Sequence, residues 1–164
     1  MRVYLVRHGI AAPSGYDLDD HRPLTDEGRR IFRESAQLWA EQGGSPTRWI
    51  VSPLVRAVQT CEIALGAFGE EGPVDVSPAL LPDARVSAAA QLVDDHFGDT
   101  LALVGHNPLM GALATFLLGL RSVPAQLQPG AVLALDLPEE GEEGPRLAWH
   151  LAPGEPPRLL VPPA

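Results

Sequence analysis

The triplet Arg7-His8-Gly9 closes an apolar run near the start of the chain and joins a fixed cation, a nucleophilic imidazole and an unobstructed backbone. That combination suits a phosphoryl group. Arginine offers a planar fork of donors to phosphate oxygens, and glycine lets a ligand approach the main chain closely. Histidine can attack phosphorus once its other nitrogen is held, so His8 is expected to donate from that nitrogen to a nearby backbone carbonyl. Two distant segments supply further parts. In Ser52-Pro53-Leu54-Val55-Arg56-Ala57-Val58-Gln59-Thr60, Ser52 is placed to cap a helix, Pro53 fits its first turn and Arg56 lies within that turn. A helix N-terminus and a guanidinium together attract an anion. In Thr100-Leu101-Ala102-Leu103-Val104-Gly105-His106-Asn107-Pro108, a strand-like run ends in Gly105-His106 and Pro108 opens another helix. His106 therefore stands at a strand's carboxyl end, where open α/β sheets place their ligands. Gly105 would let the chain turn sharply there, and Asn107 is either an extra donor or a helix N-cap.

The elements that must carry these residues alternate. The patterning predicts a strand over Arg2 to Val6 and a loop through Arg22. A helix capped by Thr25 follows, from about Asp26 to Glu41, with Ile31, Phe32, Leu38 and Trp39 spaced to face a core. Next come a strand at Trp49 to Val51, a helix from Pro53 to Phe68 and an edge strand at Val74 to Val76, reached through a turn over 69–73. Val86 to Phe97 reads as a helix, Leu101 to Val104 as a strand and Pro108 to Leu120 as an apolar helix. Ala131 to Leu137 and Arg146 to Leu151 alternate like the arms of a hairpin. This order implies a three-layer α/β/α domain around a mostly parallel sheet. One domain spans residues 1–154, and the proline-rich residues 155–164 read as an irregular tail.

Taken together, Arg7-His8-Gly9, the Ser52-Pro53, Arg56-Ala57 and Thr60 helix start, and Gly105-His106 resemble the histidine phosphatase superfamily, which includes the phosphoglycerate mutases. The resemblance covers at least Val3 to Leu137. The short length and Arg22-Pro23-Leu24-Thr25-Asp26-Glu27-Gly28 are most similar to its SixA-type phosphohistidine phosphatases. It implies a phosphoglycerate mutase-like fold with a minimal cap, His8 as nucleophile, and Arg7, Arg56 and His106 as phosphate ligands. It implies neither a metal nor a cofactor. Gly9, Arg22 and Asn107 would complete the substrate site, although Arg22 is equally placed to pair with Asp19, Asp20 or Asp26 on the surface. His106, if protonated, would add positive charge.

Ester-cleaving relatives usually carry a carboxylate that protonates the leaving oxygen, often after the third strand. That segment here is Ser77-Pro78-Ala79-Leu80-Leu81-Pro82-Asp83-Ala84, so Asp83 is the candidate general acid, with a turn or capping role as the alternative. An alkoxide leaves poorly without a proton, whereas the nitrogen of phosphohistidine leaves readily. The expected substrate is therefore phosphohistidine on a signalling or carrier protein, taken into a shallow, open pocket. A small phosphate ester is the close variant, and a non-catalytic phosphate- or phosphoprotein-binding module is the reading from another class. A metallophosphatase would need clustered Asp and His ligands.

Bulk properties fit this picture. The chain has 164 residues, 45% of them hydrophobic, which suits one packed domain rather than disorder. No run approaches the ~20 apolar residues that span a bilayer, and the start lacks a signal-peptide pattern. A single cysteine, Cys61, excludes an internal disulfide and reads as a core filler, consistent with a reducing cytoplasm. The net charge of -9 counts against nucleic-acid partners and requires a locally positive pocket. The acidic runs at 70–71, 94–95 and 139–143 read as solvated surface. His21, His96 and His150 read as structural or surface residues, and Trp39, Trp49 and Trp149 as core.

Overall fold

The computed structural model describes residues 1–13, 15, 17–70, 73–139 and 143–163. Parts of the expected turn at 69–73 and of the acidic runs at 70–71 and 139–143 lie outside the described residues. Strands β1 (Arg2–Arg7), β2 (Arg48–Val51), β3 (Val74–Val76), β4 (Leu101–Gly105), β5 (Val132–Asp136), β6 (Arg146–Ala152) and β7 (Arg158–Leu160) form one sheet in the order β3-β2-β4-β1-β5-β6-β7. Helices α1 (Asp26–Glu41), α2 (Val55–Phe68), α3 (Val86–Asp95) and α4 (Leu109–Leu117) cover it, with 3-10 turns at Asp19–His21 and Pro78–Leu80. Among the described residues no helix is long and apolar enough to cross a membrane.

The central strands are buried on both faces, so their side chains run apolar without alternation. Val3 and Leu5 of β1 join Leu101, Leu103, Leu133 and Leu135 beneath α3 and α4. Tyr4 and Val6 point the other way and meet α1 and α2 together with Ala102, Val104 and Val132. The second layer is aromatic: Trp39 lies 5.0 Å from Tyr4 and 5.0 Å edge-on from Phe68, and Trp49 and Trp149 pack beside them. All three tryptophans belong to this core, and Cys61 is buried there, its thiol pushed up to about 12 by burial. In α1, Phe32 and Trp39 are fully buried while Ile31 and Leu38 are half-buried, because Ser35 and Ala36 occupy the rest of the inner stripe.

The sheet is mixed rather than mostly parallel. The pairs β1–β4, β2–β4 and β2–β3 are parallel, whereas β1–β5, β5–β6 and β6–β7 are antiparallel. Parallel neighbours need a crossover element; β5, β6 and β7 follow one another without an intervening helix and so return antiparallel. The expected irregular tail is also corrected: Arg158–Leu160 pairs with β6 as the outer strand, and Glu155 pairs with Arg30 of α1. Prolines at 156, 157, 162 and 163 flank this strand, as an edge position allows.

Helix ends differ from expectation where side chains are diverted. Thr25 caps α1 as expected, accepting from Gly28 N–H at 2.8 Å. In contrast α2 starts at Val55, not Pro53, and Leu54 at its N-cap makes no side-chain cap bond. α3 stops at Asp95. α4 runs from Leu109, with Pro108 at the N-cap, and ends before Gly119, whose φ of 63° suits a helix terminator.

Candidate active site

The carboxyl ends of β1, β2 and β4 lie side by side, with Val6 opposite Val104 and Val51 opposite Val104 in register. The chain leaves these strands at Arg7-His8-Gly9, Ser52 and Gly105-His106. An open cleft of about 390 Å³ lies over them, lined by Arg7, His8, Arg22, Arg56, His106 and Asn107. Its remaining wall is Ile10, Ala11, Pro82 and Pro129, so no carboxylate of the described residues lines it.

His8 is held on one side only. Its Nδ1 is 2.7 Å from the Gly9 carbonyl, the kind of backbone partner expected for it, and Nε2 has no protein partner among the described residues. Donation from Nδ1 leaves the Nε2 lone pair free. His8 N–H binds the Gly105 carbonyl at 2.9 Å, which ties the two histidine-bearing strand ends together. The two imidazoles lie 5.1 Å apart. Burial, with Arg56, Arg7 and Arg22 adding to it, pushes the His8 imidazole down to about 4 against the opposing pull of the Gly9 carbonyl. His106 is pushed down to about 3, chiefly by burial and then by His8, Arg56 and Arg7. At physiological pH this burial holds the His106 ring neutral. Gly105 does not adopt a left-handed turn; a Cβ there would lie 3.1 Å from Met110 Cε and 3.3 Å from the Leu80 carbonyl, so close packing requires it.

The arginines are anchored from behind. Arg7 donates to the Leu127 carbonyl at 2.8 Å, and burial lowers its pKa. Arg56, in the first turn of α2 and 4% exposed, donates to the Asp19 carbonyl at 2.9 Å and pairs with its carboxylate at 3.1 Å. Arg22 lines the cleft and also pairs with Asp19 at 2.7 Å, so its two expected roles coincide. Asp19 is held below the usual carboxylate range, first by its hydrogen bond from Arg22, and is ionised. Asn107 donates to the Leu127 carbonyl at 3.0 Å rather than capping α4. Asp83 is exposed outside the cleft wall, although its neighbour Pro82 forms part of that wall.

Three residues were not singled out for the site from sequence. Thr60 accepts from Gly9 N–H at 3.0 Å and donates to the Arg56 carbonyl at 2.7 Å, linking nucleophile loop and arginine helix. Ser52 turns its hydroxyl to His106 Nε2 at 2.7 Å and meets the helix start only through the Leu54 N–H at 3.4 Å. Asp19 joins Arg22 and Arg56. The signal for Thr60 was its spacing of one helical turn from Arg56, and for Asp19 its nearness to Arg22. The Ser52–His106 and Asp19–Arg56 contacts join residues too distant in sequence to leave one.

Unmet hydrogen-bonding capacity is concentrated here. Among the described residues, Arg7 Nε, Arg56 Nε, His106 Nδ1 and Asn107 Oδ1 are buried without a partner. Buried polar atoms are normally paired, so a cleft ringed by them is built for a polar ligand. Two fixed guanidiniums and a helix N-terminus make that ligand an anion, with the His8 ring beside it. No group of three or more His, Cys, Asp or Glu among the described residues is placed to hold a metal ion.

Comparison with known proteins agrees with this geometry. Residues 3–81 match the model of the histidine phosphatase superfamily (branch 1). The chain is 30% identical over 156 residues to the phosphohistidine phosphatase SixA of Escherichia coli (strain K12), covering 93% of this chain and 94% of that protein. It is 37% identical over 119 residues to an uncharacterised protein of Picosynechococcus sp., covering 70% and 71% of the two chains. The structure of the protein histidine phosphatase SixA complexed with tungstate superimposes with a TM-score of 0.81 at 29% identity, over 92% of this chain and 96% of that one. The chain thus belongs to the histidine phosphatase superfamily and is of the SixA type, and its activity is that of a phosphatase.

Proposed function

We propose that this phosphatase removes the phosphoryl group from phosphohistidine on a signalling or carrier protein, without a metal and through a phosphohistidine intermediate on His8. The observation that carries the reading is the state of His8: Nδ1 engaged by the Gly9 carbonyl, Nε2 free, and the ring buried enough to stay neutral. The Nε2 lone pair attacks phosphorus in line as the bond to the leaving nitrogen breaks. Arg7 and Arg56 neutralise charge on the equatorial oxygens, and His106, Asn107 and Arg22 complete the cradle, whereas the Gly9 N–H and carbonyl are taken by Thr60 and His8. Water then hydrolyses the intermediate.

The choice of substrate is supported by the carboxylates. Among the described residues none lines the cleft, Asp83 lies outside it, and Asp19 is ionised between two arginines. A phosphohistidine imidazole leaves without a carboxylic acid, whereas an alkoxide needs one. The open cleft, beside an exposed loop, admits a side chain presented by another protein. Should esters be cleaved as well, Asp83 is the first residue to assign as acid. A cytoplasmic setting, with its free thiol buried, is part of this reading.

The test compares kcat/KM, with chelator present, on a phosphohistidine-bearing carrier protein and on small phosphate esters. The expected outcome is a preference for the phosphoprotein of at least about a hundredfold, unaffected by chelator and abolished by His8→Ala. Preference for an ester overturns the substrate assignment, and turnover by His8→Ala overturns the nucleophile.

A further inference from the structure

Ser52 is completely buried at the carboxyl end of β2, and its backbone N–H extends the ladder to β4 by donating to the Val104 carbonyl at 2.9 Å. This places its hydroxyl beside the strand end that carries His106, with Oγ 2.7 Å from His106 Nε2. The hydroxyl has two neighbours among the described residues, His106 and the Leu54 N–H, which approaches Oγ at 3.4 Å. Leu54 N–H can only donate. If His106 Nε2 also donated, the Ser52 proton would be left buried with no acceptor, a cost a buried hydroxyl avoids. If Ser52 donates to Nε2, every group is matched: Leu54 N–H to Ser52 Oγ, and Ser52 O–H to His106 Nε2. The imidazole proton then resides on Nδ1, the buried His106 nitrogen that has no protein partner.

We propose that Ser52 is a positioning residue that fixes His106 in its Nδ1–H tautomer and so presents that N–H to the phosphoryl oxygens. The inference rests on the reading of His106 as a phosphoryl ligand and explains how a neutral ring serves as a donor there. An imidazole without a fixed partner populates both tautomers, and one of them would turn a lone pair toward an anion. The hydroxyl thereby selects which ring edge is a donor.

The direct test is nitrogen-15 NMR of the His106 ring in the unmodified protein near neutral pH, followed by titration with inorganic phosphate. Protonated Nδ1 and unprotonated Nε2, both responding to phosphate, are expected. Ser52→Ala should mix the tautomers and weaken inorganic phosphate binding by about tenfold, as loss of one well-placed hydrogen bond implies. Ser52→Thr, which keeps the hydroxyl, should restore the tautomer. A proton on Nε2 in the unmodified protein overturns the proposal without needing any variant to fold. So does an unchanged tautomer in Ser52→Ala. The expected tautomer with ring signals indifferent to phosphate overturns the donor role instead, and locates the failure in His106 as a ligand rather than in Ser52.

Discussion

His8 and His106 are kept neutral by burial among cations, and this has a measurable consequence for stability. In the unfolded chain each imidazole takes up a proton as pH falls below its ordinary value of 6.5; in the folded protein uptake waits until about 4 and about 3 respectively. Between these limits the unfolded state holds more protons, so stability is fully present above about pH 6.5 and is lost as pH falls toward 4. Each group contributes up to ~1.4 kcal/mol per pH unit in that window. Thermal unfolding should show this acid-side decline, and His8→Asn should flatten it; an identical slope in the variant would mean that His8 is not held neutral. At this scale Arg7, His8, Arg56 and His106 were legible because each stands at a strand end or helix start with its motif around it. The site roles of Ser52 and Thr60 and the pairing of Asp19 with Arg56 were not. They arise from contacts across 54, 51 and 37 positions of sequence, which only the packed sheet ends create.

At the scale of elements, the loop leaving β1 is set by its contact with α1. A Cβ on Gly28 would lie 2.3 Å from the Ile10 carbonyl and 3.0 Å from Thr25 Oγ1, the capping atom. Glycine to alanine inside a helix ordinarily stabilises by roughly 0.5–1 kcal/mol. Here the sign should reverse: Gly28→Ala displaces backbone rather than a flexible side chain, and a loss of about 1–3 kcal/mol is expected. Because the same loop carries Ile10 and Ala11 of the cleft wall, kcat/KM should fall with it. A more stable Gly28→Ala protein with unchanged kcat/KM would show that this contact does not hold the loop. The extent of α1 was legible from Thr25 and the apolar spacing, since cap and periodicity agree. The start of α2 was not, because the residue suited to cap it spends its hydroxyl on His106.

For the molecule as a whole, order and layers followed from alternation of apolar runs, and the edge placement of β3 came with them. The β5–β6 hairpin was legible from its alternation. The antiparallel pairing of β5 with β1 and the outer strand β7 were not, because α4 precedes β5 as a crossover helix would and a proline-dense stretch conceals the short β7. The resulting sheet gathers three strand ends, one helix start and two arginines at a single edge of a chain whose net charge is -9. Local positive charge at that edge offsets long-range repulsion of an anionic substrate. What this arrangement is claimed to perform is a double displacement at phosphorus, first onto His8 and then onto water. The stereochemical course with a thiophosphoryl substrate made chiral with oxygen-18 and hydrolysed in oxygen-17 water tests that claim most directly. Two successive in-line steps predict retention of configuration at phosphorus; inversion would mean that water attacks the substrate directly and that His8 is never phosphorylated.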